Sequence, residues 1–163
     1  MEPVVASLSE LPDHDIQSMA HYLASFNEPM ASEDLAARAK SLETYATIRV
    51  SEGNEAGEQL YEGACAPCHD PVAGTLRGLR PSLALNTNLH SARPDNVLRA
   101  ILGGVNVPAL GSQGAMPSFR DSLDDRQIDA LLRYLRAQFA ADKPAWTDVD
   151  QIAARIRTEP RRH

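Results

Sequence analysis

The chain has 163 residues, 43% of them apolar, with 16 Lys plus Arg against 22 Asp plus Glu for a formal charge of −6. That length holds one domain of ordinary size with extra elements rather than two full domains, and the acidic balance disfavours electrostatic binding to nucleic acid or anionic lipid. No apolar run approaches the roughly 18 residues of a membrane-spanning helix, and Met1-Glu2-Pro3 does not open a basic-then-apolar export leader.

In chain order the periodicity predicts an all-α protein with no credible strand run. A helix over about 13–25 places Ile16, Met19, Ala20 and Leu23 on one face after Pro12. A second, about 33–50, follows Ser32 as a cap, carries the thin stripe Leu35, Ala39, Leu42 and Ala46, and should stop or kink at Gly53. Asn54 is placed to cap a short helix over about 55–64 that delivers Cys65 at its end. Residues about 69–93 read as loop, and Pro94 reads as the first-turn proline of a helix that runs to Leu102 and stops at Gly103-Gly104. Asp124 with Gln127 three later forms a capping-box pattern, opening a helix over about 125–140 with Ile128, Leu131, Leu132 and Leu135 inward. The last amphipathic stretch, Thr147 to Arg157, carries Val149, Ile152, Ala153 and Ile156 at helical spacing and should pack on something.

Aromatics are scarce, 3 Phe, 4 Tyr and 1 Trp, so the core must lean on aliphatic side chains or on a group that is not protein. The two cysteines point to such a group. They stand in Cys65-Ala66-Pro67-Cys68-His69, the C-x-x-C-H pattern of haem c attachment. Two thiols at this spacing match the two vinyl groups of one porphyrin, and the next residue brings an imidazole under the iron. Three other readings exist: a zinc half-site, a thioredoxin-like redox pair, and a disulfide. Zinc would need two further ligands and no second Cys pair is present, and a redox pair would need a βαβ setting that helical flanks do not supply.

The other face of the iron needs a donor, and Met116 in Gly114-Ala115-Met116-Pro117-Ser118-Phe119 is placed for it, beyond the motif and before the last strong helix. A neutral thioether favours ferrous over ferric iron, so His/Met ligation raises the potential and closes the iron to outside ligands. An ordinary core methionine is the competing reading. Gly111, Gly114 and Pro117 favour a ligand loop, which needs fixed turns rather than a helix.

On these residues the chain resembles a class I cytochrome c over about residues 54–141. Gly57 and Tyr61, eight and four residues before Cys65, match the family positions, as do Leu131 and Tyr134, three apart in the closing helix. The resemblance implies a monohaem fold in which Leu131 and Tyr134 press on the Gly57 face. It also implies that the Pro81 carbonyl accepts the His69 Nδ1–H, a bond that orients the ring and raises its basicity. Arg77 and Arg80 would reach a haem propionate, with a solvated loop position the equal alternative.

Leu11 through Leu23 aligns with Leu123 through Leu135 at a constant offset of 112, both copies ending in Tyr-Leu. The economical account makes residues 1–28 the closing helix of a preceding haem domain, with Met1 standing where Met116 stands. Chance likeness of two amphipathic helices, and a start codon at Met1, are the alternatives. Residues 29–53 are then a helical linker, 54–141 the haem domain and 142–163 a short helical tail, so the expected fold is a class I cytochrome c with an N-terminal helical extension. This order resembles the C-terminal part of multihaem cytochrome c subunits of periplasmic or membrane-associated dehydrogenases, of the alcohol or nicotinate/isoquinoline type, which makes the chain either a piece of a longer subunit or a naturally short protein.

The resemblance implies one covalent haem c with its iron, and single-electron transfer in the bacterial periplasm. Electrons would come from a dehydrogenase catalytic subunit of molybdenum- or quinone-cofactor type, or from an upstream haem, and pass to a redox acceptor. Membrane association would be peripheral, through those partners. The alternative is a haem enzyme or small-ligand sensor with an open sixth position. The first 53 residues would alternatively serve as an arm lying on a partner subunit. Among the five histidines, His14, His21 and His163 are scattered, and His90 is the alternative iron ligand to Met116. Trp146 is expected to pin the tail, and Arg157, Arg161, Arg162 and His163 read as a solvated basic end. No Ser-His-Asp set, phosphate loop or carboxylate pair stands above chance, so catalysis by the protein itself is not expected.

Overall fold

The computed structural model describes residues 7–26, 31–48, 53–70, 82–105 and 115–160. Met1, Arg77, Arg80, Pro81, Gly111, Gly114, Arg161, Arg162 and His163 fall outside them. The chain divides into two compact units, Met1–Ala37 and Arg38–His163. That division lies inside a helix, whereas boundaries at 28/29 and 53/54 follow the motif and the internal repeat.

The first unit contains α1, Asp13–Ala24, and the beginning of α2, Ser32–Ala46. Asp13 and Asp15 sit in the first turn of α1 and favour its positive end, yet none of its residues is buried. Ser32 is already helical, so α2 starts at its expected cap, a residue before the expected start.

In the second unit α2 ends at Ala46, short of the expected 50, and Gly53 does not stop it. Its end is held instead by Gln138, fully buried, whose amide nitrogen donates to the carbonyls of Ala46 at 2.7 Å and Ile48 at 2.8 Å. The first is a carbonyl that a helix end leaves unpaired, and the second lies two residues beyond that end. Next come α3, Glu55–Ala64, and the single turn α4, Ala66–His69. Asn54 occupies the cap position of α3, but its side chain makes no capping hydrogen bond.

The stretch expected to be loop contains a 3₁₀ turn, Leu83–Leu85, and α5, Thr87–His90, capped by Asn86 accepting from the Asn88 amide at 3.0 Å. Pro94 caps α6, Asp95–Gly103, from just outside it rather than within its first turn. The capping box of α7, Asp125–Phe139, is present as expected: Gln127 N donates to Asp124 Oδ1 at 2.8 Å and Asp124 N to Gln127 Oε1 at 2.9 Å.

The core lies between α3 and α7, with α6 and α8, Val149–Thr158, packed beside it. Gly57 is what lets α3 and α7 approach. A β-carbon there would collide with the Ala130 carbonyl and stand 2.6 Å from the Tyr134 Cβ. Of the expected pair, Tyr134 makes this close approach, with the Ala130 backbone beside it; Leu131 is buried in the core. Tyr61 completes it, its ring 5.3 Å from that of Tyr134 and 5.6 Å from that of Phe139.

The tail is pinned as expected. Trp146 Nε1 donates to the Ser91 carbonyl at 3.0 Å, and its ring lies 4.3 Å from the Arg136 guanidinium carbon. Arg136 is buried without a carboxylate partner among the described residues. Its guanidinium donates to the carbonyls of Leu89, Ser91 and Pro144, and burial pulls its pKa down.

The expectation of a solvated basic end fails at Arg157. Its guanidinium pairs with Asp125 at 2.9 Å and donates to the carbonyls of Leu123 and Arg120, while Arg120 in turn donates to the Arg157 carbonyl at 2.8 Å. No helix among the described residues is long and apolar enough to cross a membrane.

Candidate functional site

Cys65 ends α3, its amide donating to the Tyr61 carbonyl at 2.8 Å. Pro67, with no N–H to lose, sits in the first turn of α4, where such a proton would be unpaired anyway. The turn then closes on the Cys65 carbonyl, which accepts from Cys68 N at 3.1 Å and His69 N at 2.9 Å. Local backbone bonding thus gathers both thiols and the imidazole on one short piece of chain.

Met116 arrives from the opposite side, held by main-chain contacts. Val105 N donates to Met116 O at 3.0 Å and Met116 N to Val105 O at 2.7 Å, a single antiparallel bridge. Behind it Gly104 takes a φ of 74°, the left-handed region that suits glycine, and a β-carbon there would stand 2.7 Å from the Met116 carbonyl oxygen. Ser118 Oγ donates to the Leu102 carbonyl at 2.6 Å and Phe119 N to the Ile101 carbonyl at 2.9 Å. The loop is thereby tied to the last turn of α6. Gly103-Gly104 was legible as a helix stop; its second role behind Met116 was not, because only the fold brings position 104 beside 116.

Cys65, Cys68, His69, Met116, Pro117 and Phe119 line one cleft, with Ala64 and Ala115 beside them. Among the described residues, its lining has no charged or titratable group other than His69 and the two thiols. The donors present are thiol sulfur, thioether sulfur and imidazole nitrogen, a set that fits a covalently held haem with soft axial ligation. The cysteines are not joined as a disulfide. Burial, with Cys68 adding to it, pushes the Cys65 thiol up to about 11, the reverse of the acidified thiol a redox pair uses. Among the described residues no three His, Cys, Asp or Glu side chains assemble into a metal site, so a zinc half-site finds no other half there.

His90 is elsewhere: its Nε2 lies 2.8 Å from the Ala84 carbonyl, and it does not line the cleft. It is not brought to the site as a second ligand. His14 and His21 lie on the exposed α1.

The family described as "Cytochrome C oxidase, cbb3-type, subunit III" matches residues 52–135. A nicotinate dehydrogenase subunit of Pseudomonas putida is 45% identical across the whole chain, which spans 13% of that protein. The fructose dehydrogenase cytochrome subunit of Gluconobacter japonicus is 30% identical over 85% of the chain, which covers 32% of its length. Cytochrome c6 of Bryopsis maxima is 34% identical over 50% of the chain and 86% of its own length. The chain thus spans a third or less of the two dehydrogenase subunits and most of the small single-domain protein.

Proposed function

The chain belongs to the cytochrome c family, and from that premise we propose that it carries one haem c on Cys65 and Cys68, ligated by His69 and Met116, and relays single electrons. The donor would be a dehydrogenase catalytic subunit, of molybdenum- or quinone-cofactor type, or an upstream haem; the acceptor would be a respiratory redox protein or quinone site. The observation that carries the proposal is the cleft where both thiols, the imidazole and the thioether meet.

When bound, haem supplies reversible one-electron chemistry at iron. The chain's own residues do the rest. Cys65 and Cys68 fix the ring covalently, and the α4 turn holds the His69 imidazole beside them. Met116 would offer a neutral sulfur to the iron, a donor that favours the reduced state and leaves no place for an outside ligand. The apolar lining, Phe119 in it, would lower the dielectric around a bound haem. On the family resemblance, Pro81 would orient the His69 ring through its carbonyl and Arg80 would meet a propionate.

Dehydrogenase subunits among the relatives support a catalytic-subunit partner. Haem c attachment to reduced thiols takes place after export, which makes the bacterial periplasm the working compartment. Residues 54–141 form the haem-bearing domain, and 142–163 a tail that braces it.

The test is the absorption spectrum of the reduced holoprotein before and after carbon monoxide. A haem c spectrum that barely responds supports His/Met ligation. A strong response makes the iron an open site of the enzyme or sensor kind, and absence of haem ends both accounts.

A further inference from the structure

The loop that carries Met116 is tied to α6 through Val105, Ser118 and Phe119. Four residues past Met116 the same loop is tied to the tail instead. The Arg120 guanidinium lies at the C-terminal end of α8 and donates to the carbonyls of Ile156 at 3.3 Å, Arg157 at 2.8 Å and Glu159 at 3.2 Å. The last turn of a helix leaves carbonyls short of amide donors and gathers partial negative charge, so a cation belongs there. Arg157 returns the contact, donating to the carbonyls of Arg120 and Leu123 and pairing with Asp125 at 2.9 Å. Two arginines, one from the loop and one from the tail, thus clasp each other's main chain.

α8 has other means of staying on the domain. It buries Val149, Ala153 and Ile156, and ion pairs tie Arg155 to Asp95 at 2.6 Å and Glu159, just past its end, to Arg99. The loop has less of its own: Ala115, Pro117 and Ser118 are exposed, and Met116 and Phe119 are only partly buried. A segment with few buried contacts opens locally at low cost, and the groups that hold it from outside then set how often it does so.

We infer that Arg120 and Arg157 are positioning residues for the sixth iron ligand, holding the Met116 loop closed from the tail. The inference rests on the reading of Met116 as that ligand.

The experiment mixes the reduced, haem-loaded full chain with carbon monoxide, whose binding is limited by how often the Met116 sulfur leaves. Arg120→Met is compared with wild type, with Met116→Ala, and with Arg155→Met, which loosens α8 without touching the loop. Arg120→Met is expected to bind carbon monoxide faster by about tenfold or more, the scale of losing hydrogen bonds from a charged group. Arg155→Met keeps the wild-type rate. Arg120→Lys, which retains the charge, falls between wild type and Arg120→Met, and it carries the comparison if Arg120→Met takes up no haem. Amide exchange at Met116 and Phe119, bonded to the Val105 and Ile101 carbonyls, should quicken in Arg120→Met by more than exchange in α3. That difference separates local opening from a general loss of stability.

Unchanged carbon monoxide kinetics in Arg120→Met, equal acceleration in Arg155→Met, or faster exchange confined to α8 overturns the inference. A wild type as open to carbon monoxide as Met116→Ala removes the ligand reading and the inference with it. A closed wild type beside an open Met116→Ala keeps that reading whatever Arg120→Met does.

Discussion

Gly104 stands against the main chain of Met116, leaving no room for a β-carbon between residue 104 and the Met116 carbonyl oxygen. The φ of 74° at Gly104 adds a second reason for glycine there. Gly104→Ala should therefore cost about 1–3 kcal/mol through backbone strain and the close approach. It should also displace Met116, so the reduced holoprotein becomes responsive to carbon monoxide. Denaturation midpoints and the carbon monoxide difference spectrum measure both, and an unresponsive variant would detach Gly104 from the ligand loop.

Gly57→Ala tests the contact on which the haem domain is built. Its methyl group would press on the Ala130 carbonyl and the Tyr134 Cβ, both in a helix interior that cannot give way locally. An overpacking cost of about 1–3 kcal/mol is expected, seen as a lower denaturation midpoint with unchanged slope. Gly63→Ala, on the same helix with open space around it, should be neutral or slightly stabilising.

Replacing Arg136 with Met removes the donors that reach the carbonyls of Leu89, Ser91 and Pro144. Leaving buried acceptors unpaired costs about 1–3 kcal/mol. The chain has one tryptophan, Trp146, so release of the tail should appear as a red shift of its emission. Emission unchanged in Arg136→Met would show that the Ser91 bond alone suffices.

Asp95 accepts from Arg93 and from Arg155 of α8, at 3.0 and 2.6 Å. The hydrogen bond from Arg93, followed by that from Arg155, holds its carboxyl well below the usual carboxylate range, at about 2. A folded-state pKa below the unfolded one stabilises the fold above the unfolded value, 3.8, and that contribution fades as pH falls towards 2. Amide signals of α8 followed from pH 5 downwards should loosen in that window, and Asp95→Asn should flatten the dependence there.

The thiol and imidazole part of the proposed site is local: Cys65, Cys68 and His69 are neighbours in sequence and line one cleft. The α7 cap was readable for the same reason, both partners lying within one turn. What escaped depends on distant chain. The end of α2 is set by Gln138, some ninety residues on, whereas Gly53 was the only nearby stop signal. Arg157 looked like part of a basic terminus, yet Asp125 and the carbonyls of Arg120 and Leu123 claim it. The Ala130 backbone shares the Gly57 contact with Tyr134, and a glycine's approach to main chain is something no pattern of large apolar residues reveals. For α1 the pattern was visible, but its exposure was not.

The bridge that carries Met116 is written entirely in peptide groups, Val105 and Met116 exchanging amide and carbonyl bonds. Nothing in that attachment consults the side chain at position 116. The loop behaves as a socket, and its occupant can change without refolding what holds it. If Met116 ligates the iron as proposed, a single codon change there would retune the midpoint potential of the domain, trading the thioether for a harder donor or for none, through a position whose main-chain anchorage is independent of the side chain.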